Sequence, residues 1–484
     1  MKSINEINDK AIKSYMEDKQ FDDWKLNYHL EMNFGLINDP NGLAYFNNEY
    51  YIFFQWNPFG CEHKFKHWGL VRTKDFINYS IPKAVLAPDD WYDKNGCYSG
   101  SGIVIGDKLN LLYTGNVKDF QGNRSSYQCV ATVDKKGNIV KKGPVLDTIP
   151  EGYTPHFRDP KAYKMGDKFY FVIGAQSEGL KGCALLYESA DFEKWSLVGK
   201  INTKYKDFGF MWECPSLLNI NGTDILIFSP QGLEKEEYRY QNIYQSGYIL
   251  GKLNYNTLDF DHGTFEELDL GTDFYAPQVF KDDNNRDIMI GWMGLPEEEN
   301  DHMTVEHGRV HCLTMPREIF IKDNLLYQKP VEEMKDLRQE VIAEAEGVIC
   351  TEWKSENTND NSYEINAEID RLNADHIEIK FMGIDDEYSK LVLDFKNGTG
   401  ILDNSSILNG PKSIRKFKIE KDEKVSINMF VDKSAVEIYL QGGRYVLSSR
   451  IYSKNNSQGI IISSNEEIKI NNLNLWSMGG FKYE

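Results

Sequence analysis

Five stretches of the chain repeat one pattern, and that repeat restricts the possible folds more than any other feature. They begin at Asp39, Ser99, Asp159, Glu213 and Ala276, about sixty residues apart. Each pairs a short apolar strand with a polar or glycine-bearing turn and a second alternating strand. GLAYFNNEYYIFFQW follows Asp39-Pro40-Asn41, PKAYKMGDKFYFVIGA follows Asp159, and CPSLLNINGTDILIFSP follows Glu213. The segments from Ser99 to Tyr113 and from Ala276 to Trp292 repeat the pattern without the acid. One such unit leaves a sheet face bare, so neighbouring units must stack around an axis as a five-bladed β-propeller. The spacing exceeds the roughly 40–50 residues of common propeller repeats, which predicts long loops between strands.

Stacking places the start of each innermost strand near the axis. Asp39, Asp159 and Glu213, far apart in sequence, are therefore expected to meet in one funnel. A lone Asp-Pro reads as a strand entry or turn. Three acids in register within a repeat read instead as a site for acid/base or nucleophilic chemistry on a polar substrate.

At 484 residues the chain exceeds one ordinary core, and two domains are expected. Abundant Tyr, Phe and Trp with Gly and Asn turns favour strands. A formal charge of −19 argues against nucleic-acid or anionic-membrane partners. No stretch of eighteen apolar residues occurs, so no membrane span is expected. The opening MKSINEINDKAIKSYMEDKQ lacks the apolar core of a secretory signal and reads as a short amphipathic helix. Seven cysteines (Cys61, Cys97, Cys129, Cys183, Cys214, Cys312 and Cys350) have no paired spacing, which fits reduced thiols and a cytoplasmic location. His63 and His67 are four apart without further ligands nearby, so no metal is expected.

These patterns divide the chain into a helical extension over 1–20, a propeller over 21–330, a short helix or linker over 331–344, and a second domain over 345–484. The last part alternates continuously, as in His376-Ile377-Glu378-Ile379-Lys380-Phe381, and turns back at Gly442-Gly443. Its strands predict a β-sandwich without a catalytic constellation.

Asn38-Asp39-Pro40-Asn41-Gly42, Phe157-Arg158-Asp159-Pro160 and Glu213-Cys214-Pro215 resemble the three signature blocks of glycoside hydrolase family 32, the β-fructofuranosidases. The resemblance spans nearly the whole chain and includes Trp68-Gly69, Tyr113-Thr114-Gly115, Thr314-Met315-Pro316-Arg317-Glu318 and Phe430-Val431-Asp432. It implies a five-bladed propeller followed by a β-sandwich. It further implies Asp39 as nucleophile, Glu213 as acid and then base, and Asp159 as transition-state stabiliser, with no metal or organic cofactor. Asn38, Gln55, Trp68, Tyr98, Ser99, Arg158 and Trp292 resemble the family's sugar-binding shell. Arg158 beside Asp159 is expected to keep that acid charged, and Trp212 and Cys214 are apolar neighbours able to raise the pKa of Glu213. The implied reaction is retaining hydrolysis through a covalent fructosyl-enzyme.

Finer detail, from Lys66-His67-Trp68 to Ser229-Pro230-Gln231-Gly232, is most similar to bacterial sucrose-6-phosphate hydrolases within that family. The implied partner is a small sugar. A phosphate on it calls for cations, with His63, Lys64, Lys66, Arg124 and Arg309 as candidates. Two features depart from the family pattern: no proline lies in His29-Leu30-Glu31-Met32-Asn33-Phe34-Gly35, and Arg309 stands where relatives often carry Trp. Fructan hydrolysis or fructosyl transfer would use the same three acids with different loops. A non-catalytic sugar-binding propeller would need neither nucleophile nor acid. The sequence leaves oligomeric state open.

Overall fold

Alternating segments joined by Gly- and Asn-bearing turns become antiparallel meanders. The computed structural model describes residues 3–17, 22–356, 358, 360–384, 386–453 and 459–484. In the third repeat Tyr153–Met165, Lys168–Ser177, Gly182–Ser189 and Ser196–Lys200 pair in sequence order. Four further sheets start in the same way from Gly35–Phe46, Cys97–Ile105, Met211–Ile220 and Tyr275–Lys281. These five leading strands touch one another in a closed ring. The β-propeller inferred from the repeat is thus present, its blades held by facing apolar residues such as Leu112, Val130, Phe171 and Leu185.

Every leading strand slips register at the same level. Two residues face one across Ile37/Pro40, Cys97/Gly100, Arg158/Lys161, Glu213/Ser216 and Tyr275/Gln278. A bulge leaves its extra residue unpaired, so Pro160, Pro215 and Pro277, which cannot donate to a ladder, are tolerated there. Asp159, Cys214 and Ala276 adopt left-handed backbone, with φ of +66°, +46° and +46°. The acid motifs are therefore the bulges themselves.

The C-terminal part is a β-sandwich of two six-stranded sheets. Ile365, Ile369 and Met429 from one sheet and Ile377, Ile379 and Phe381 from the other share its core. Between the two parts, Glu332–Leu337 forms a 3-10 turn that buries Met334 and Leu337, and strand Arg338–Ile349 follows at once. The hairpin Ala435–Leu440 to Tyr445–Arg450 turns at Gly442 and Gly443. A side chain on Gly443 would meet the Gln328 carbonyl oxygen at 1.6 Å, so only glycine lets this hairpin dock on the propeller. The helix Ile4–Met16 begins with a Ser3/Glu6 capping box and packs Ile7 and Ala11 inward. At the other end Lys482–Tyr483 pairs with Asn78–Tyr79 on the first blade.

A buried ionic network joins the two parts. Arg317 donates from Nη2 to Glu437 Oε2 at 2.7 Å and from Nη1 to Asp269 Oδ2 at 3.1 Å. His29 reaches Asp432 at 2.9 Å and Glu437 at 3.1 Å. Burial opposes charging His29, but its hydrogen bonds to Asp432 and Glu437 prevail and push its pKa up to about 9. Burial likewise opposes ionising Glu437, yet Arg317 first and His29 next hold it down at about 2. Removing Arg317 leaves Asp269 without its cation and Glu437 with His29 alone, so Arg317→Met should cost roughly 3–5 kcal/mol in a urea titration. The two shifts also fix a pH window. His29 stabilises fully below its ordinary 6.5 and loses that contribution as pH rises through about 9; Glu437 contributes above 4.5 and loses it towards about 2. The Tm should therefore fall between pH 6.5 and 9, and His29→Gln should flatten that slope while lowering the Tm at pH 6.

Candidate active site

The five bulges meet at one end of the axis, and three of them bring the acids together. Asp39 is half-buried; its Oδ1 accepts from Asn38 Nδ2 at 3.0 Å and its Oδ2 from the Ser99 hydroxyl. Asn38 donates to Gln55 Oε1 at 2.7 Å, and Gln55 Nε2 donates to Ser99 Oγ at 2.7 Å, closing a polar ring around the nucleophile candidate. Burial raises the Asp39 pKa, the Ser99 and Asn38 hydrogen bonds oppose it, and the Glu213 charge adds to the rise.

Asp159 accepts from the Cys214 backbone N–H at 3.1 Å, and its own N–H donates to Thr114 Oγ1 at 3.1 Å. Cys214 Sγ lies 3.8 Å from Asp39 Oδ2, so one bulge residue touches both aspartates. Burial and then the charges of Glu213 and Asp39 push Asp159 up to about 7, with Arg158 pulling the other way. Arg158 does not hold its sequence neighbour as expected. It directs Nε and Nη2 onto Glu213 Oε1 at 2.9 and 2.7 Å and leaves Asp159 Oδ2 at 3.9 Å. Strand geometry explains the correction: the bulge turns Asp159 away from the direction Arg158 takes.

Glu213 Oε2 accepts from Tyr275 Oη at 2.7 Å. Tyr275 precedes the fifth bulge as Glu213 precedes the fourth, so the aligned repeats could have identified it. Burial raises the Tyr275 pKa and keeps it a donor. Trp212, expected beside the acid, turns away and stacks on Phe228 at 4.1 Å, as alternation along a strand requires.

The remaining predicted shell divides. Tyr98 is half-buried at the rim, while Trp68 and Trp292 are buried at 0% and 1% exposure. Neither indole offers a face for a sugar. Trp68 packs on Phe53 and Tyr113 and donates to the Tyr98 carbonyl at 3.2 Å, and Trp292 packs against Tyr275, so both support the rim from behind. Lys66 is buried and donates to Asn38 Oδ1 and His63 Nδ1. Exposed Lys64 pairs with Glu62. Arg309, expected on the leaving-group side, is instead buried. Its guanidinium forks onto Asp22 at 2.6 and 2.8 Å, with Glu31 at 3.2 Å. Arg124 is half-buried, with its guanidinium 5.6 Å from the centre of the Tyr98 ring.

A partly buried cluster with one hydroxyl-bonded carboxylate, one carboxylate under an arginine fork and a phenol, and a third that resists ionisation has the groups that a nucleophile, a proton donor and a hydroxyl acceptor call for. Comparison with known proteins places the whole chain. The glycosyl hydrolases family 32 N-terminal domain matches residues 29–330 and the family's C-terminal domain matches 333–477. A sucrose-6-phosphate hydrolase of Bacillus subtilis is 39% identical over 94% of this chain and 95% of its own. One from Vibrio alginolyticus is 38% identical over 91% and 88%. The structure of sucrose-6-phosphate hydrolase from Lactobacillus gasseri superposes with a TM-score of 0.86 at 30% identity, covering 97% of this chain and 99% of the other. On the full span of propeller and sandwich, the chain belongs to glycoside hydrolase family 32.

Proposed function

We propose that this enzyme hydrolyses the fructosyl linkage of sucrose 6-phosphate, and of sucrose, with retention of configuration. The convergence of Asp39, Asp159 and Glu213 in one partly buried cluster carries the reading, and the relatives named above support the substrate. Asp39 attacks the anomeric carbon as its bond to the leaving oxygen breaks, and Glu213 delivers a proton to that oxygen. The result is a fructosyl-enzyme ester and free glucose 6-phosphate or glucose. Water then attacks the same carbon, Glu213 takes its proton, and fructose leaves with Asp39 restored.

Arg158 occupies Glu213 Oε1, so Oε2 is the oxygen that carries the mobile proton, and Tyr275 can accept from it as readily as donate to it. Asp159 is placed to accept fructosyl hydroxyls, and Asn38, Gln55 and Ser99 fix the direction of the attacking carboxylate. An intracellular site of action goes with a phosphorylated substrate and with seven thiols in no disulfide.

Asp39→Asn should lower turnover by more than about a thousand-fold while leaving the sugar Kd within a few-fold, as measured by steady-state kinetics and calorimetry. Turnover at the parent rate would remove Asp39 from the nucleophile's role. Ser99→Ala takes away a hydrogen bond that favours the charged form of Asp39. The acidic limb of kcat/KM should then move to higher pH, with a loss of roughly ten- to hundred-fold at mildly acidic pH, the effect of a charged hydrogen bond of about 1.5–3 kcal/mol. A pH–rate profile of parent and variant checks both.

A further inference from the structure

In a protein of formal charge −19, a phosphate must find cations that are not already engaged. Lys64 pairs with Glu62, Arg309 with Asp22 and Glu31, and Arg158 with Glu213. Lys66 is buried against Asn38 and His63, on the Asp39 side of the pocket. Arg124 differs. It opens the strand Arg124–Val133 and stands directly opposite Lys118 across the hairpin. Like charges directly opposite destabilise a strand pair, and among the described residues neither has an ion-pair partner. Arg124 lies over Tyr98, a packing that leaves guanidinium edge N–H groups open for a forked contact.

The neighbouring strand adds a third donor. Ser126 Oγ donates to the Pro155 carbonyl at 3.0 Å and Gln128 Nε2 to that of Phe157 at 3.4 Å. Residues of Arg124's parity therefore face the segment that carries His156. His156 is exposed, and its Nδ1 lies 3.2 Å from Arg158 Nη1. Arginine can only donate, so Nδ1 accepts and Nε2 keeps the ring's proton. Partial desolvation by its neighbours and the charges of Arg158 and Arg124 lower the imidazole's pKa to about 4, which goes with the neutral ring that the Arg158 contact requires.

Arg158 links His156 to Glu213, the group that meets the leaving oxygen. The cluster therefore lies outward from the leaving-group side, whereas Lys66 and His63 lie on the nucleophile side. We propose that Arg124, with Lys118 and the Nε2–H of His156, binds the phosphate of the leaving glucosyl group, an inference that rests on cleavage of sucrose 6-phosphate by this chain.

The test compares kcat/KM for sucrose 6-phosphate and sucrose in the parent, Arg124→Gln, Arg124→Lys and Lys118→Ala, with glucose 6-phosphate and glucose as product inhibitors. Arg124→Gln should cut kcat/KM for the phosphorylated sugar roughly thirty- to hundred-fold, mostly through KM, and that for sucrose by less than about three-fold. Inhibition by glucose 6-phosphate should weaken by a similar factor, and inhibition by glucose should not. Arg124→Lys, which keeps the charge and loses the fork, should recover part of the loss. A parent that prefers the phosphorylated sugar beside an Arg124→Gln variant with the same preference overturns this site alone. A parent without preference overturns the substrate reading beneath it. Should Arg124→Gln fail to fold, Lys118→Ala, exposed at the same hairpin end, decides: a loss of about three-fold confined to the phosphorylated sugar supports the site, and an unchanged ratio overturns it.

Discussion

Each of the five axial strands gives up one ladder pair at the same level, and the reactive groups depend on that shared irregularity. A regular strand would send Asn38 and Asp39 to opposite faces. Across the bulge they lie close enough for Asn38 to donate to Asp39 while also bonding Gln55. In the fourth blade the same slip lets Cys214 present its N–H to Asp159 and its sulfur to Asp39. Proline serves here because the bulge frees it from ladder duty, and left-handed backbone at Asp159, Cys214 and Ala276 is held by surroundings that bury all three residues.

Gathering three partly or fully buried carboxylates is unfavourable, and the protein offsets this unevenly. Glu213 receives a guanidinium and a phenol, and Asp39 a hydroxyl and an amide. Asp159 receives only a backbone N–H and a distant edge of Arg158, and its pKa rises to about 7. Unequal support of this kind separates carboxylates of one chemical type into different roles. A second set of buried charges, His29, Arg317, Glu437 and Asp432, has no such imbalance: each acid there faces a cation. That set lies where propeller meets sandwich, so Thr314-Met315-Pro316-Arg317 and Phe430-Val431-Asp432 belong to domain assembly and not to chemistry.

The propeller and the three acids were legible because repetition survives in sequence: equivalent bulges carry equivalent text. The Gly442-Gly443 hairpin was legible because its backbone needs positive φ, +66° and +89°. Contacts between distant segments were not. Arg309 meets Asp22 across 287 positions, and nothing local marks that pairing. Arg158 and Trp212 misled for a related reason. Adjacency along a strand puts residues on opposite faces, and a bulge rearranges even that rule, so a neighbour in sequence is a poor guide to a partner in space. Tyr275 was readable in principle, since Phe274-Tyr275-Ala276-Pro277 aligns with Trp212-Glu213-Cys214-Pro215. A search for acids alone passes over it.

Charge count behaves the same way. Five candidate cations near the substrate looked equivalent as letters, and geometry separates them by what already holds them. Engaged cations such as Arg309 stabilise the fold, and their charge is cancelled before any ligand arrives. Lys66 is buried against the Asn38 amide oxygen and the His63 imidazole, beside the nucleophile candidate, and its charge acts to lower the Asp39 pKa. Arg124 and Lys118 face each other at a hairpin end with a half-exposed aromatic face beneath. In the proposed site an anion between them would relieve that repulsion, and the discomfort of the free enzyme would become affinity for a phosphorylated sugar over its neutral counterpart.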